Sequence, residues 1–187
     1  MSIFRIFLIS LAAMFAENVV FVNYLGIKPF LESGKDRKKI AATGTSIIVA
    51  SVICSLFTST LDMFVLKPLE IGYLRTVSFV LVIALMLRAL SALKTKIDIS
   101  LSYALSSTVV LGISLLVSSA ELNPLEAVIY AAATGASFLI SSFIFSEVSK
   151  KLEYASVPKF FKGLPILLIT AGLIALAFSG FIGMKFI

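Results

Sequence analysis

Six long apolar runs, joined by short charged connections, constrain this chain more than any other feature. Read from the hydrophobic pattern, they cover residues 3–27, 40–61, 74–93, 99–119, 125–146 and 164–184. A helix needs about 20 mostly apolar residues to cross a bilayer, and each run reaches that length. We therefore predict an all-α polytopic membrane protein whose residues 1–187 form a single integral membrane domain. With 59% apolar and 14% charged residues, the chain has too little polar surface for an ordinary soluble domain.

The distribution of lysine and arginine predicts how the six helices are oriented. If the first, third and fifth connections are cytoplasmic, twelve of the 16 cationic residues lie on that side. The other four, Arg5, Lys67, Arg75 and Lys185, then lie outside. Because cytoplasmic loops are enriched in Lys and Arg, this split places both termini on the non-cytoplasmic side. It also explains the net charge of +6 without nucleic acid as a partner.

The residues that are missing exclude several kinds of chemistry. The chain has no histidine and one cysteine, Cys54, so it cannot form an internal disulfide or supply a zinc site alone. It has no Cys-x-x-Cys motif, and neither a phosphate loop nor a dinucleotide-binding glycine motif. We expect no catalytic residue, no metal site and no cofactor bound by this chain alone. The sequence gives Cys54 no role.

An internal repeat relates the second and fifth runs. Residues 42–51 read ATGTSIIVAS and residues 133–142 read ATGASFLISS, at an offset of 91. The copies are three spans apart and therefore cross the membrane in opposite directions. This predicts two inverted three-helix repeats. The alternative is that small residues recur because they let membrane helices approach closely.

Polar residues inside the first and fourth runs are candidates for an ion path. They are Glu17, Asn18, Asn23, Ser106, Ser107 and Thr108. A charge such as Glu17 costs at least ~2.5 kcal/mol at the centre of a bilayer, so it is a functional candidate by default. The sequence at 26–29, Gly-Ile-Lys-Pro, predicts a break in the first helix. The alternatives are a neutral Glu17 hydrogen-bonded at a helix interface, and hydroxyls at 106–108 that bond to carbonyls one turn back.

Three segments resemble one known family. Residues 23–31 (NYLGIKPFL) resemble the first-helix motif of the A subunit of Rnf complexes and of the related E subunit of the sodium-pumping quinone reductase. Residues 73–84 (YLRTVSFVLVIA) look like the same family's third helix. Residues 157–165 (VPKFFKGLP), with ITAGL at 169–173, are similar to its last loop and last helix.

The resemblance implies a six-helix subunit of the prokaryotic plasma membrane, with both termini outside. It implies a homologous partner subunit of opposite topology, and flavin and iron–sulfur subunits in the same complex. In the family, the membrane pair holds a [2Fe–2S] cluster through two cysteines from each partner. The complex couples electron transfer across the membrane to Na⁺ or H⁺ movement. This chain would then be a non-catalytic membrane subunit of a redox-driven ion translocase.

The sequence departs from the family at both cluster positions. The first cysteine position, two residues after the motif glycine, is Lys28, and the second, four residues before the glycine of the fourth run, is Thr108. Neither side chain is a normal iron–sulfur ligand. We therefore expect no [2Fe–2S] cluster on this chain. Three functions stay open: a cluster-free Rnf-like subunit, a redox-inactive paralogue that transports small ions or solutes, and a structural anchor for redox partners.

Overall fold

A computed structural model describes residues 8, 10–11, 13–15, 18–26, 36–92, 108–120, 122, 124–154 and 158–181. Within these ranges the regular structure is helical, with no β-strand. The helical residues 8, 10–11 and 13–15 form α1. The later helices are α2 (Arg37–Leu61), α3 (Arg75–Ala92), α4 (Thr108–Ser119), α5 (Pro124–Glu153) and α6 (Leu164–Ser179). A π-helical turn (Asp62–Leu66) extends α2, and short 3₁₀ turns (Gly72–Leu74 and Lys159–Phe161) precede α3 and α6.

The helices follow the predicted apolar runs, with shifts at their ends. The helix of the second run begins earlier, at Arg37, where Asp36 accepts a hydrogen bond from the Lys38 amide. The helix of the fifth run continues further, to Glu153. Helix α4 is described only from Thr108, and the predicted residues 99–107 lie outside the described part. Two helical stretches, Arg37–Leu66 and Pro124–Leu152, are long and apolar enough to cross a membrane. The all-helical fold is therefore confirmed.

Helices α2 and α5 form the centre of the bundle and run antiparallel. A Cβ atom added to Gly44 would lie 2.7 Å from Leu139 Cδ1, and one added to Gly135 would lie 3.0 Å from Ile48 Cα. Contact positions thus rise along α2 as they fall along α5. The two glycines let the backbones approach closely, as small residues do in membrane bundles.

The buried core surrounds this crossing. Most of its members come from α2, α4 and α5, among them Ile47, Ala50, Cys54, Val109, Ile113, Val117, Phe138 and Phe145. Helix α6 lies at the edge of this core, with Ala175 buried and with Leu167, Ala171, Ile174 and Phe178 partly buried against it. Leu168, Leu173 and Leu176 of α6 are 53–69% exposed. The bundle thus has a tightly packed centre and a last helix with one face on the core and one face exposed.

Candidate functional site

The first helix is interrupted after α1, and the side chain of Asn18 stabilises the non-helical turn that follows. Its Oδ1 accepts hydrogen bonds from the amides of Val20 and Phe21, both at 3.0 Å. Its Nδ2 donates to Ser141 Oγ of α5 at 2.9 Å. An asparagine that bonds the second and third amides beyond it is a helix N-cap. Asn18 therefore starts a new turn and fastens that turn to α5.

The new turn ends after six residues, at Tyr24. The backbone carbonyl of Asn18 accepts from the amides of Val22 and Asn23, both at 3.0 Å. Tyr24 then adopts a left-handed conformation with φ 55°, and the Leu25 amide donates to the Val19 carbonyl at 2.9 Å. A residue in the left-handed conformation commonly ends a helix. The predicted break is therefore present, but it begins eight residues before Gly26.

Gly26 lets the broken segment reach α4. It has φ 74°, a conformation that favours glycine, and a Cβ there would clash with Val109 Cγ2. A Cβ added to Gly112 of α4 would likewise clash with Leu25 Cδ1, so this glycine leaves room for the Leu25 side chain. Non-helical backbone at membrane depth occurs where it is buried in protein or lines a cavity. Here Gly26 is buried between Val109 of α4 and Phe138 of α5, whereas Tyr24 is 65% exposed.

The structure brings some of the predicted site residues together. Asn18 is 2% exposed, Asn23 is partly buried, and the Asn23 side chain donates to the Asn18 carbonyl at 3.4 Å. Thr108 is exposed at the first turn of α4, next to the Val109 that contacts Gly26. The other candidates, Glu17, Lys28, Ser106 and Ser107, lie outside the described residues.

A buried ion pair at one end of the bundle was not predicted. Asp62, 4% exposed, accepts from Arg75 Nε at 2.9 Å through Oδ1 and from Ser118 Oγ at 2.9 Å through Oδ2. Asp62 thereby neutralises Arg75 and ties α2, α3 and α4 together. Opposite charges at facing ends of consecutive antiparallel spans were the available signal.

A second charged group lies at the opposite end of the bundle, near the end of α5. Glu147 Oε1 accepts from Arg37 Nη2 at 2.9 Å and from Lys150 Nζ at 3.0 Å. These side chains are 31–69% exposed, so the group is solvated, unlike Asp62 and Arg75. It links the start of α2 to the end of α5.

The chain matches one family of membrane proteins over nearly its whole length. The sequence profile described as "Rnf-Nqr subunit, membrane protein" covers residues 6–185. Among curated proteins, the chain is 33% identical to the A subunit of the Na⁺-translocating ferredoxin:NAD⁺ oxidoreductase complex of Acetobacterium woodii. It is 36% identical to the A subunit of the ion-translocating oxidoreductase complex of Shewanella sediminis. Each alignment covers 95% of this chain and 96% of the relative. The chain therefore belongs to the Rnf-Nqr family of membrane subunits.

Proposed function

We propose that this chain is the A-type membrane subunit of an Rnf-like complex that couples electron transfer to Na⁺ or H⁺ movement. The observation that carries the proposal is its end-to-end match to proteins named as the A subunits of such complexes. The interruption of the first helix at Asn18 agrees with this proposal, because discontinuous helices often build the ion sites of membrane transporters. Glu17, Asn18, Asn23 and the hydroxyls at 106–108 are the ion-path candidates. Asn18 caps the turn that leads to Asn23.

The inverted repeat belongs to this proposal, and reciprocal contacts support it. Gly44 and Gly135 are equivalent under the 91-residue offset, and so are Ile48 and Leu139. Gly44 contacts Leu139 while Gly135 contacts Ile48, so each contact is the image of the other. Contacts of this kind are expected around a pseudo-two-fold axis between antiparallel copies. We therefore propose two inverted three-helix repeats, with both termini outside the cytoplasm.

We further propose that the chain carries no [2Fe–2S] cluster of its own. Such clusters are held by thiolates, and the two family positions supply an ammonium at Lys28 and a hydroxyl at Thr108. Cys54, the one cysteine in the sequence, is buried along α2 rather than placed at the break. In the described part of the chain, no three His, Cys, Asp or Glu side chains gather to hold a metal ion. The residues present do not fit the cluster.

The partners in this proposal are a homologous membrane subunit of opposite topology and the flavin and iron–sulfur subunits of the complex. They are tested by purifying the tagged chain from its native membrane, with untagged membranes as the control. Partners are identified by mass spectrometry, and iron and acid-labile sulfide are measured on the membrane pair. We expect the homologous and redox subunits to copurify, and the pair to show no [2Fe–2S] signal in electron paramagnetic resonance. A [2Fe–2S] signal in the pair would contradict the predicted loss of the cluster.

The replaced cysteines also favour a second function, a redox-inactive paralogue that moves small ions or solutes. Recovery of the chain alone, free of iron, together with potential-dependent ion flux in liposomes, would support that function. A structural anchor would instead show loss of complex assembly on deletion and no flux of its own.

A further inference from the structure

A short turn that leads into α6 carries two phenylalanines between two lysines. Residues 159–162 read Lys-Phe-Phe-Lys, and the first three of them form the 3₁₀ turn that precedes α6. The Phe161 amide donates to the Pro158 carbonyl at 3.0 Å, and the Lys162 amide donates to the Lys159 carbonyl at 3.4 Å. We call residues 159–162 the KFFK turn. It is a hydrogen-bonded element with its own backbone geometry.

The side chains of the KFFK turn lie mostly outside the helix bundle. Phe160 is 94% exposed and Phe161 is 47% exposed, and both lysines are exposed as well. A phenylalanine ring that stays in water forgoes the free energy of burial, and a second ring beside it adds to that loss. Adjacent exposed rings, unlike a single one, form an apolar patch that another medium or molecule can cover.

The KFFK turn also carries positive charge that is not balanced nearby along the chain. From residue 154 to residue 187 the sequence has three lysines, at 159, 162 and 185, and no aspartate or glutamate. Within the described part of the chain, no carboxylate forms an ion pair with Lys159 or Lys162. Whatever covers the two rings therefore lies beside two ammonium groups. An anionic partner fits this requirement.

Helix α6 is shorter than the hydrocarbon core of a bilayer. Its 16 residues, Leu164–Ser179, span about 24 Å, whereas the core is about 30 Å thick. A short membrane helix is accommodated by flanking residues at the interface, where aromatic side chains and lysines are the usual anchors. The KFFK turn supplies both kinds of residue at the start of α6.

Gly163 separates the KFFK turn from α6. It has φ 90°, a conformation that favours glycine, and the backbone of Lys162 before it is extended. The turn therefore does not continue the axis of α6, and its two rings are not part of the helix surface. At the end of a short membrane helix, this position is level with the lipid headgroups.

We propose that the KFFK turn binds anionic phospholipid, with the two rings in the membrane interface and the two ammonium groups on lipid phosphates. Aromatic rings are enriched in this region of a membrane. With the termini outside, as proposed above, the turn lies at the cytoplasmic leaflet, whose anionic lipids attract basic segments. One basic residue near such a surface strengthens binding about fivefold, so two together give about thirtyfold. Lipid bound here fixes the level at which α6 enters the membrane.

Tryptophan fluorescence tests this proposal, because the sequence has no tryptophan. Phe160→Trp in the purified full chain gives one emitter, placed at the KFFK turn. The chain is reconstituted in vesicles of equal parts phosphatidylglycerol and phosphatidylcholine, with bromine on the acyl chains of one lipid or of the other. The two kinds of vesicle differ only in which lipid quenches the tryptophan, so the ratio of quenching reports which lipid lies beside it.

Two other single-tryptophan variants are the controls. Tyr73→Trp lies in the other 3₁₀ turn, where Tyr73 is 81% exposed and the neighbouring cation Arg75 is paired with Asp62. Leu173→Trp lies along α6, where Leu173 is 61% exposed. Neither position has an unpaired cation beside it, so both variants should show no preference between the two lipids. Quenching of Leu173→Trp by both lipids shows that α6 is in the bilayer.

We expect brominated phosphatidylglycerol to quench Phe160→Trp more strongly than brominated phosphatidylcholine does. Its apparent affinity should be at least about fivefold higher, which is the factor for one basic residue. Replacing Lys159 and Lys162 with glutamine in the same variant should bring the ratio of quenching close to one. High salt should have the same effect, because it screens exposed charges.

Equal quenching of Phe160→Trp by the two lipids would overturn the proposal, and so would quenching by neither, which would place the turn in water. A benzophenone amino acid at position 160 extends the test to the complex in native membranes. Crosslinking to phospholipid supports the proposal, and crosslinking to another subunit contradicts it. Neither assay depends on electron transfer or ion movement, so the result is independent of the proposed function.

Discussion

The side chain of Asn18 determines where the first helix breaks. It satisfies two backbone amides and binds Ser141, which lies 123 positions away along the chain. Each of these groups is buried, so none can turn to solvent when its partner is removed. A single amide side chain therefore holds both the local turn and its contact with α5.

Replacing Asn18 with alanine should lower stability by about 2–3 kcal/mol, because the amides of Val20 and Phe21 would stay buried without an acceptor. Ser141→Ala removes one hydrogen bond and should cost about 1 kcal/mol. Cys54 is fully buried and is the only cysteine in the sequence, so a thiol-reactive fluorescent dye reports unfolding in a thermal ramp. Equal melting temperatures for the two variants would show that Asn18 does not hold the break.

The Asp62–Arg75 pair is the second residue-scale feature with a measurable consequence. Asp62→Asn should lower stability by about 2 kcal/mol, because Arg75 would lose its counter-charge; the partial exposure of Arg75 keeps the loss below that of a fully buried pair. Adding Arg75→Gln should recover part of the loss, since the unpaired charge is then removed. Glu147→Gln is the solvated control and should leave the melting temperature unchanged. A double variant as unstable as the sum of its singles would contradict this account.

At the scale of helices, the approach of α2 to α5 depends on two glycines. A Cβ added at Gly44 would lie 2.7 Å from Leu139 Cδ1 and 3.0 Å from Leu139 Cβ, and one added at Gly135 would lie 3.0 Å from Ile48 Cα. A rotamer change can move Leu139 Cδ1, but Leu139 Cβ and Ile48 Cα move only if a helix shifts. Alanine should therefore be costly at both positions.

Gly135→Ala and Gly44→Ala should each cost about 1–3 kcal/mol, as overpacking of a tight core does. Gly172→Ala of α6 is the matched control, because a Cβ added at Gly172 would have no neighbour within 4 Å among the described residues, and alanine favours a helix. The dye-based melting curve compares the three variants. Equal losses at Gly135 and Gly172 would mean that the crossing is not closely packed.

Local pattern predicted the helices well, because hydropathy over about 20 residues is a property of contiguous sequence. It predicted a break near Gly26 from the glycine and proline there. It could not place the start of the break at Asn18, since the partner that fixes Asn18 is on α5. It also assigned Asp62 to a connection, because the α2 apolar run ends at Leu61 and the burial of Asp62 depends on Arg75 and Ser118. Contacts between distant segments are the part that a single sequence does not contain.

At the scale of the whole molecule, we propose that the chain keeps the family scaffold without the cluster ligands. The central crossing and the turn at Asn18 use residues other than Lys28 and Thr108. Under this proposal, the replacement of cysteine at those two positions removes no contact of the crossing or of the Asn18 cap. The chain is 33% identical to the A subunit of a Na⁺-translocating complex over 95% of its length.

The exposed face of α6 makes the stability of this chain depend on its surroundings. One face of the helix packs on the core through Ala175 and Phe178, whereas Leu168, Leu173 and Leu176 on the rest of its surface are exposed. Acyl chains or another protein that covers these leucines binds the folded state, and such binding stabilises by mass action. The melting temperature of the purified chain should then rise with the concentration of lipid or partner.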